Sequence, residues 1–216
     1  MAAMLPRFPF DGAEKRRAIL EAVQSLRGVV AAGAAESEAR ETLTPSVVDA
    51  QSASGLWALK LPAELGGAEA DPVTQAEAIE AMTRIDTSAG WALMIGATSI
   101  GWPGAFLPAA GVRRVFTDPG RLPTAAGIGG IAGTAVSVDG GHRVTGRFAF
   151  SSGIRHAEWL LADAPVARGD DAPVESRTFV VPWSKRPCTW IAGTSPGSGV
   201  RAAMTSHSMT CSSRKR

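Results

Sequence analysis

Apolar residues recur every three or four positions through the first part of the chain, which is the period of an amphipathic helix. Ile19, Leu20, Val23 and Leu26 follow this spacing, so residues 11–40 predict one helix or two consecutive helices. A further helix is predicted over residues 45–54, and Gly55 ends it because glycine readily adopts the left-handed backbone after a helix.

Two aspartates predict the starts of further helices. Asp71 precedes Pro72, which is tolerated at a first helical position, and this helix runs to about residue 84. Asp86 starts another helix that runs to about residue 100. With a short helix over residues 108–116, residues 1–117 are predicted to be a helical domain.

The period changes to two beyond residue 118, as is typical of strands with one buried face. Residues 134–138 and 142–150 alternate around Asp139-Gly-Gly and predict a β-hairpin. Two further strands are predicted over residues 159–162 and 178–181, separated by a polar loop over residues 164–176. Helices followed by strands indicate an α+β fold, with residues 118–184 as an antiparallel β domain.

Composition and charge exclude several classes of protein. Apolar residues make up 45% of the 216, which excludes disorder as the main state, and two cysteines exclude a disulfide framework. Residues 185–216 hold six basic and no acidic residues, whereas residues 1–184 hold 16 basic and 20 acidic ones. We therefore expect no nucleic-acid partner. The N-terminus lacks a secretory signal, and glycines and prolines break the longest uncharged run, residues 90–112, so we expect no membrane span and a cytoplasmic location.

The glycine-rich stretch that contains Gly127, Gly129 and Gly130 formally fits a dinucleotide fingerprint. A strand pattern follows it where that fingerprint requires a helix, which excludes the Rossmann interpretation. By spacing alone it is a flexible loop or a backbone that approaches a flat ligand. Phe150, Ser151 and Ser152 end a strand before a glycine, where hydroxyls either face a ligand or bond the local backbone. No His, Cys, Asp or Glu spacing predicts a metal site.

Three blocks together resemble the acyl-CoA dehydrogenase superfamily. They are residues 55–67 (GLWALKLPAELGG), residues 79–91 (IEAMTRIDTSAGW) and residues 138–153 (VDGGHRVTGRFAFSSG) followed by 156–159 (HAEW). Their order and spacing match the family over about residues 13–182. The resemblance implies a helical domain, a β-barrel-like middle domain and a C-terminal four-helix bundle, which this chain lacks.

The resemblance also implies a flavin ring against the middle domain, with FAD as the expected cofactor and FMN supplied in reduced form as the alternative. By position, Ala126, Gly127, Ile128, Gly129 and Gly130 match a segment beneath the ring. Phe150, Ser151 and Ser152 match the residues beside it, and in the hydroxylase branch the serine lies near flavin N5. Trp91 matches an aromatic residue on a helix of the substrate pocket. No catalytic residue is assigned, because the family base lies in the absent bundle.

Two activities follow from the resemblance. A dehydrogenase-type oxidoreductase with an acyl-CoA substrate comes first, because residues 97–99 lack the histidine expected in the hydroxylase branch. The alternative is the oxygenase of a two-component monooxygenase, which uses a flavin reductase partner and an aromatic substrate. A non-catalytic fragment or interaction module is the third interpretation. The family forms homotetramers around its bundle, so the resemblance does not carry this oligomer over to the chain.

Residues 185–216 depart from the family. Reading the codons of residues 196–216 from their third base permits GLRGPGSHDFPLDDVFVPEE, which resembles the family's continuation; Met204-Thr205 and Met209-Thr210 each force an aspartate in that frame. We therefore expect a frameshift between about residues 183 and 196, with a genuine disordered basic tail as the alternative. Without the bundle, the 216-residue chain is predicted to bind flavin weakly or not at all and to show no turnover.

Overall fold

The computed structural model describes residues 8–118, 121–131, 133–138, 141–148, 151–167, 175–183 and 207–212. Helices fill the first half of the chain, as predicted. They are α1 (Gly12–Ser25), α2 (Arg27–Ala39), α3 (Pro45–Ala53), α4 (Pro72–Thr83), α5 (Thr87–Phe106) and α6 (Ala109–Val115). No single described helix is long and apolar enough to span a membrane; α1 and α2, which meet at a 52° bend, pass that test only as a pair.

Aspartate side chains cap the starts of α4 and α5, which confirms both predicted helix starts. Asp71 accepts hydrogen bonds from the backbone N–H groups of Val73 and Thr74. Asp86 accepts one from the N–H of Ala89 at 2.7 Å. Each cap satisfies donors that the first helical turn leaves unpaired.

Helix α5 continues past its predicted end near residue 100 to Phe106, with Pro103 inside it. Glycine and proline in this stretch weaken an isolated helix, which is why the sequence predicted an earlier end. Tertiary packing reverses that preference: a Cβ on Gly104 would lie 2.3 Å from Leu61 Cδ1, so the glycine allows α5 to approach this leucine closely.

Strand β4 is the centre of a six-stranded sheet. It pairs with β5 along one side and with β1 and then β2 along the other, while β3 pairs with β2 and β6 with β3. The strands are β1 (Ala125–Ile131), β2 (Gly133–Val138), β3 (Gly141–Phe148), β4 (Trp159–Ala167), β5 (Glu175–Pro182) and β6 (His207–Ser212). The predicted hairpin is β2–β3, and the α+β class is confirmed.

The sheet is mixed, which differs from the antiparallel arrangement that was predicted. Strand β4 runs parallel to β1 and to β2. The described strands do not close into a barrel.

Two predicted loops are partly strands. The glycine-rich stretch lies in β1, whose pairing with β4 becomes irregular between Gly127 and Ile131. The polar loop predicted over residues 164–176 is shorter than expected, because β4 continues to Ala167 and β5 begins at Glu175. The small residues of this segment did not show a clear alternation of apolar and polar positions, yet Ala164 and Val166 are buried as in a strand.

The predicted disordered tail contains one described element. Residues 207–212 form strand β6, which pairs antiparallel with β3, and the other residues of the 185–216 tail lie outside the described ranges. An uncovered edge strand presents unpaired N–H and C=O groups, so β3 provides a template for this pairing.

Three apolar clusters hold the layers together. One lies among the helices, a second lies within the sheet, and the third joins α5 and α6 to β1 and β4. The third cluster includes Leu61, Ile100, Ala125 and Leu161. It fixes the sheet against one face of α5, and the candidate site lies along that face.

Candidate functional site

A cleft of about 260 Å³ separates α5 from the sheet. Helical spacing places its α5 residues on one face, and the strands provide the opposite wall. The lining residues are Ile95, Thr98, Ser99, Trp102, Gly127, Leu161, Asp163 and Thr178. A mainly apolar cleft with a few fixed polar groups suits a flat organic ligand.

Three polar side chains of the cleft, those of Thr98, Asp163 and Thr178, are hydrogen-bonded. Thr178 Oγ1 donates a hydrogen bond to Asp163 Oδ1 at 2.5 Å. Lys60 Nζ donates to Thr98 Oγ1 at 2.7 Å, and Thr98 in turn donates to the carbonyl of Met94 at 2.8 Å. These bonds fix side chains that would otherwise turn freely in the cleft.

The turn after β3 brings a buried hydroxyl to the start of α5. Ser151 and Ser152 are 1% and 3% exposed, and Gly153 follows with φ of 82°, in the region that favours glycine. Trp91 Nε1 donates a hydrogen bond to Ser152 Oγ at 3.0 Å. Residues 61 positions apart in the chain, both predicted at the site, therefore lie in contact.

The next residues of this turn are also held by the helical layer. Arg155 donates to the backbone carbonyl of Arg40 at 2.8 Å and lies 3.5 Å from the carboxylate of Glu41. The ring of His156 packs edge-on against Trp57, with centroids 5.7 Å apart. The position of Ser152 thus depends on the helices as well as on the strand before it.

His156 is enclosed as a neutral imidazole. Burial lowers its pKa from 6.5 to about 4. Its Nδ1 and the Nε1 of Trp57 are buried and have no hydrogen-bond partner among the described residues. An indole N–H can only donate, whereas a neutral imidazole keeps one nitrogen as an acceptor, so the two orphaned groups are complementary.

A hydrogen-bonded ion pair fixes the starts of β1 and β4. Arg121 donates to both carboxylate oxygens of Glu158, at 2.6 and 2.7 Å. Burial is the largest single influence on Glu158 and opposes its ionisation, but the hydrogen bonds and positive charge of Arg121, together with hydrogen bonds from Thr124, lower its pKa. Thr124 Oγ1 donates to the carbonyl of His156 at 2.8 Å, which ties β1 to the same turn.

The residues that were predicted to face the flavin differ from one another in their surroundings. Ala126 is fully buried in the core of the sheet. A Cβ on Gly127 would lie 3.1 Å from Ser99 Oγ and 3.3 Å from Leu161 Cβ, so the close approach at this glycine is to α5 and β4. Ile128, Gly129 and Gly130 lie in β1, and their side chains are not described; Phe150 lies outside the described residues.

Several residues at the site were not predicted from the sequence. Ser99, Asp163 and Thr178 line the cleft although they lie on three different elements. Ser99 falls about two helical turns after Trp91, where the resemblance leads one to expect a histidine. That spacing was the available signal. Asp163 lay beside the predicted loop and Thr178 at the start of a predicted strand, and neither position indicated a site.

The Ser152 hydroxyl can donate a hydrogen bond to an acceptor on a flat heterocycle. The indole of Trp91 can only donate, so Ser152 Oγ is the acceptor in their hydrogen bond and its own proton is directed elsewhere. Within the described residues Ser152 makes no other hydrogen bond, and a buried donor requires an acceptor. The carbonyls and ring nitrogens of a flavin are acceptors of this kind.

Comparison with known proteins finds flavin-dependent enzymes among the relatives of the chain. The acyl-CoA dehydrogenase N-terminal domain family matches residues 13–106. The oxygenase subunit HsaA of a flavin-dependent monooxygenase from Mycobacterium tuberculosis (strain ATCC 25618 / H37Rv) is 27% identical over 169 residues, which cover 78% of this chain and 42% of that protein. The pigment production hydroxylase of Rhodococcus sp. (strain ATCC 21145) is 34% identical over 131 residues, which cover 60% and 33%.

A solved structure also matches the chain. XiaF from Streptomyces sp., in complex with FADH2 and glycerol, matches with a TM-score of 0.82 and 27% identity over 92% of this chain and 49% of XiaF. The chain spans less than half the length of the curated relatives named above. The curated relatives are named as the oxygenase subunit of a flavin-dependent monooxygenase and as a hydroxylase, which matches the hydroxylase alternative and is coarsely consistent with a flavin-dependent oxidoreductase. Residues 13–106 thus match the acyl-CoA dehydrogenase N-terminal domain, and the homologues and structural neighbours of the chain are flavin-dependent monooxygenases of the acyl-CoA dehydrogenase-like superfamily.

Proposed function

We propose that the chain forms the helical and flavin-facing parts of the oxygenase component of a two-component monooxygenase. This component would take reduced flavin from a separate reductase and use oxygen to hydroxylate an aromatic or related small molecule. The observation that carries the proposal is the buried Ser152 hydroxyl, which accepts from Trp91 and keeps its own proton for a ligand. The relatives support it, since they are named as oxygenase subunits and hydroxylases.

The chain's own residues would bind and orient the reactants. Ser152 would donate a hydrogen bond to an acceptor on the flavin edge, while Trp102, Ile95 and Leu161 would exclude water from one face of a flat substrate. A bound reduced flavin supplies the electrons and the oxygen chemistry. FAD is the proposed cofactor, with FMN as the alternative.

Anaerobic equilibrium dialysis of the full 216-residue chain tests this function. We expect reduced FAD or FMN to bind saturably and more tightly than the oxidised form, although weakly, because the chain spans less than half of its relatives' length. Ser152→Ala should weaken binding. Ser25→Ala, which removes a hydroxyl bonded to the carbonyl of Ala22 on α1, should not. Equal partitioning of both flavins across the membrane for every variant would contradict the proposal.

A dehydrogenase activity is the second candidate, because the domain family that matches residues 13–106 takes its name from acyl-CoA dehydrogenases. It predicts the opposite preference, since such a protein binds oxidised flavin and an acyl-CoA reduces it as the thioester is oxidised to the enoyl form. Tighter binding of oxidised flavin, with bleaching on addition of an acyl-CoA, would favour this candidate.

A further inference from the structure

We infer that Trp91 is a positioning residue that holds the Ser152 hydroxyl as a hydrogen-bond donor toward the flavin edge. This inference rests on the proposed function. It concerns a residue that the sequence placed in the substrate pocket, and it gives that residue a different task. The indole would act through Ser152 and would not need to touch the substrate.

The chemistry of the pair fixes the direction of the serine proton. An indole N–H has no acceptor, so the 3.0 Å contact requires Ser152 Oγ to accept. A serine hydroxyl on its own rotates and can either donate or accept. Once Trp91 occupies one lone pair of the oxygen, the O–H must point away from the indole and is available to donate, and Ser152 is too buried for water to satisfy it freely.

The exposure of Trp91 shows that burial in the core is not the main role of its side chain. Its side chain is 43% exposed although it is a large aromatic residue, whereas Trp57 at the same layer boundary is 1% exposed. The polar end of the indole is the part that reaches the turn. Its loss should therefore affect the serine more than it affects the stability of the fold.

The turn is also restrained on its other side. Arg155 and His156 hold the residues after Gly153 against α2 and Trp57, so the serine backbone cannot follow a displaced indole. Removing the indole N–H should then free the hydroxyl to rotate without moving the backbone. This predicts a loss of ligand affinity without a matching loss of folding.

Indole N–H signals in ¹⁵N NMR spectra of the full chain test the contact without any ligand. Trp91→Phe identifies the Trp91 signal by its absence. Ser152→Ala should shift that signal and speed its hydrogen exchange about tenfold, while Ser152→Thr, which keeps a hydroxyl, should largely restore both. Ser25→Ala is the matched control and should leave the signal unchanged.

Anaerobic dialysis with reduced FAD and FMN then tests the role. We expect Trp91→Phe and Ser152→Ala each to weaken binding about five- to tenfold, and the double variant to bind no more weakly than Ser152→Ala alone, because the two residues act as one unit. Trp159→Phe, the same substitution at the start of β4 and outside the cleft, should bind like the parent chain.

The outcomes separate the two proposals. If the parent chain binds neither flavin, the proposed function fails and this role fails with it. If the parent binds reduced flavin but Trp91→Phe binds equally well, or if Ser152→Ala leaves the Trp91 signal unchanged, the positioning role is refuted while the proposed function stands. Additive losses in the double variant also refute it, because independent contacts add.

Discussion

His156 should lower the free energy of unfolding as the pH drops from about 6.5 to 4.5, a range in which carboxylates contribute little. The folded chain keeps this imidazole neutral, with its pKa lowered to about 4 by burial, whereas the unfolded chain takes up a proton near pH 6.5. The unfolded state therefore binds more protons between these values, and the free energy of unfolding falls as the pH drops. At 1.36 kcal/mol for each pKa unit, the loss is about 2.5 kcal/mol by pH 4.5.

Urea unfolding of the parent chain and of His156→Leu between pH 7.5 and 4.5 measures this effect. The variant can be less stable at every pH because it changes the contact with Trp57, but its curve should be flatter by about 2.5 kcal/mol over the range. Carboxylates contribute to both proteins alike, so the difference between the curves isolates the histidine. His156→Gln, which is polar and also cannot titrate, should be equally flat. Parallel curves for all three proteins would refute a buried neutral His156.

Three further predictions concern packing, capping and the reading frame. Gly96→Ala should lower the free energy of unfolding in urea by about 3 kcal/mol, because its Cβ would lie 1.6 Å from a ring atom of Trp57. Gly28→Ala is the control: a Cβ there would have no atom within 4 Å, so the change should be neutral or stabilising by up to about 1 kcal/mol. Asp86→Ala should cost about 1 kcal/mol by removing the cap of α5, and Asp86→Asn should recover part of it; equal losses in the two variants would contradict the capping role. Sequencing the coding DNA across codons 180–216 and about 600 bases beyond should reveal one inserted or deleted base that restores GLRGPGSHDF; an intact frame would support a genuine tail.

Local chemistry made the helical half predictable. The aspartate caps and the left-handed Gly55 are decided by neighbours in the chain, so spacing alone located them. The end of α5 was not predicted because it depends on Leu61, which lies far away in sequence. Close packing against Leu61 favours glycine at Gly104, whereas an isolated helix disfavours it.

The sheet and the site were predicted less completely. Alternation located β2 and β3 but carries no information on which strands pair, so the parallel contacts of β4 were not foreseen. The resemblance indicated Trp91 and Ser152 separately. Their hydrogen bond depends on how the layers pack, and so does the close approach of Ser99 and Leu161 to Gly127.

Pro103 divides α5 into parts of unequal rigidity. A proline has no N–H, so the carbonyl of Ser99, one turn earlier, loses its usual intrahelical donor at the wall of the cleft. The half of the helix that carries Trp91 keeps its full ladder, whereas the last turn, with the exposed rings of Trp102 and Phe106, is held by fewer backbone bonds. We therefore expect amide hydrogens of that last turn to exchange before those around Trp91. The end of the cleft beside Ile95 would then keep a fixed geometry, while the end beside Trp102 adjusts to the size of its ligand.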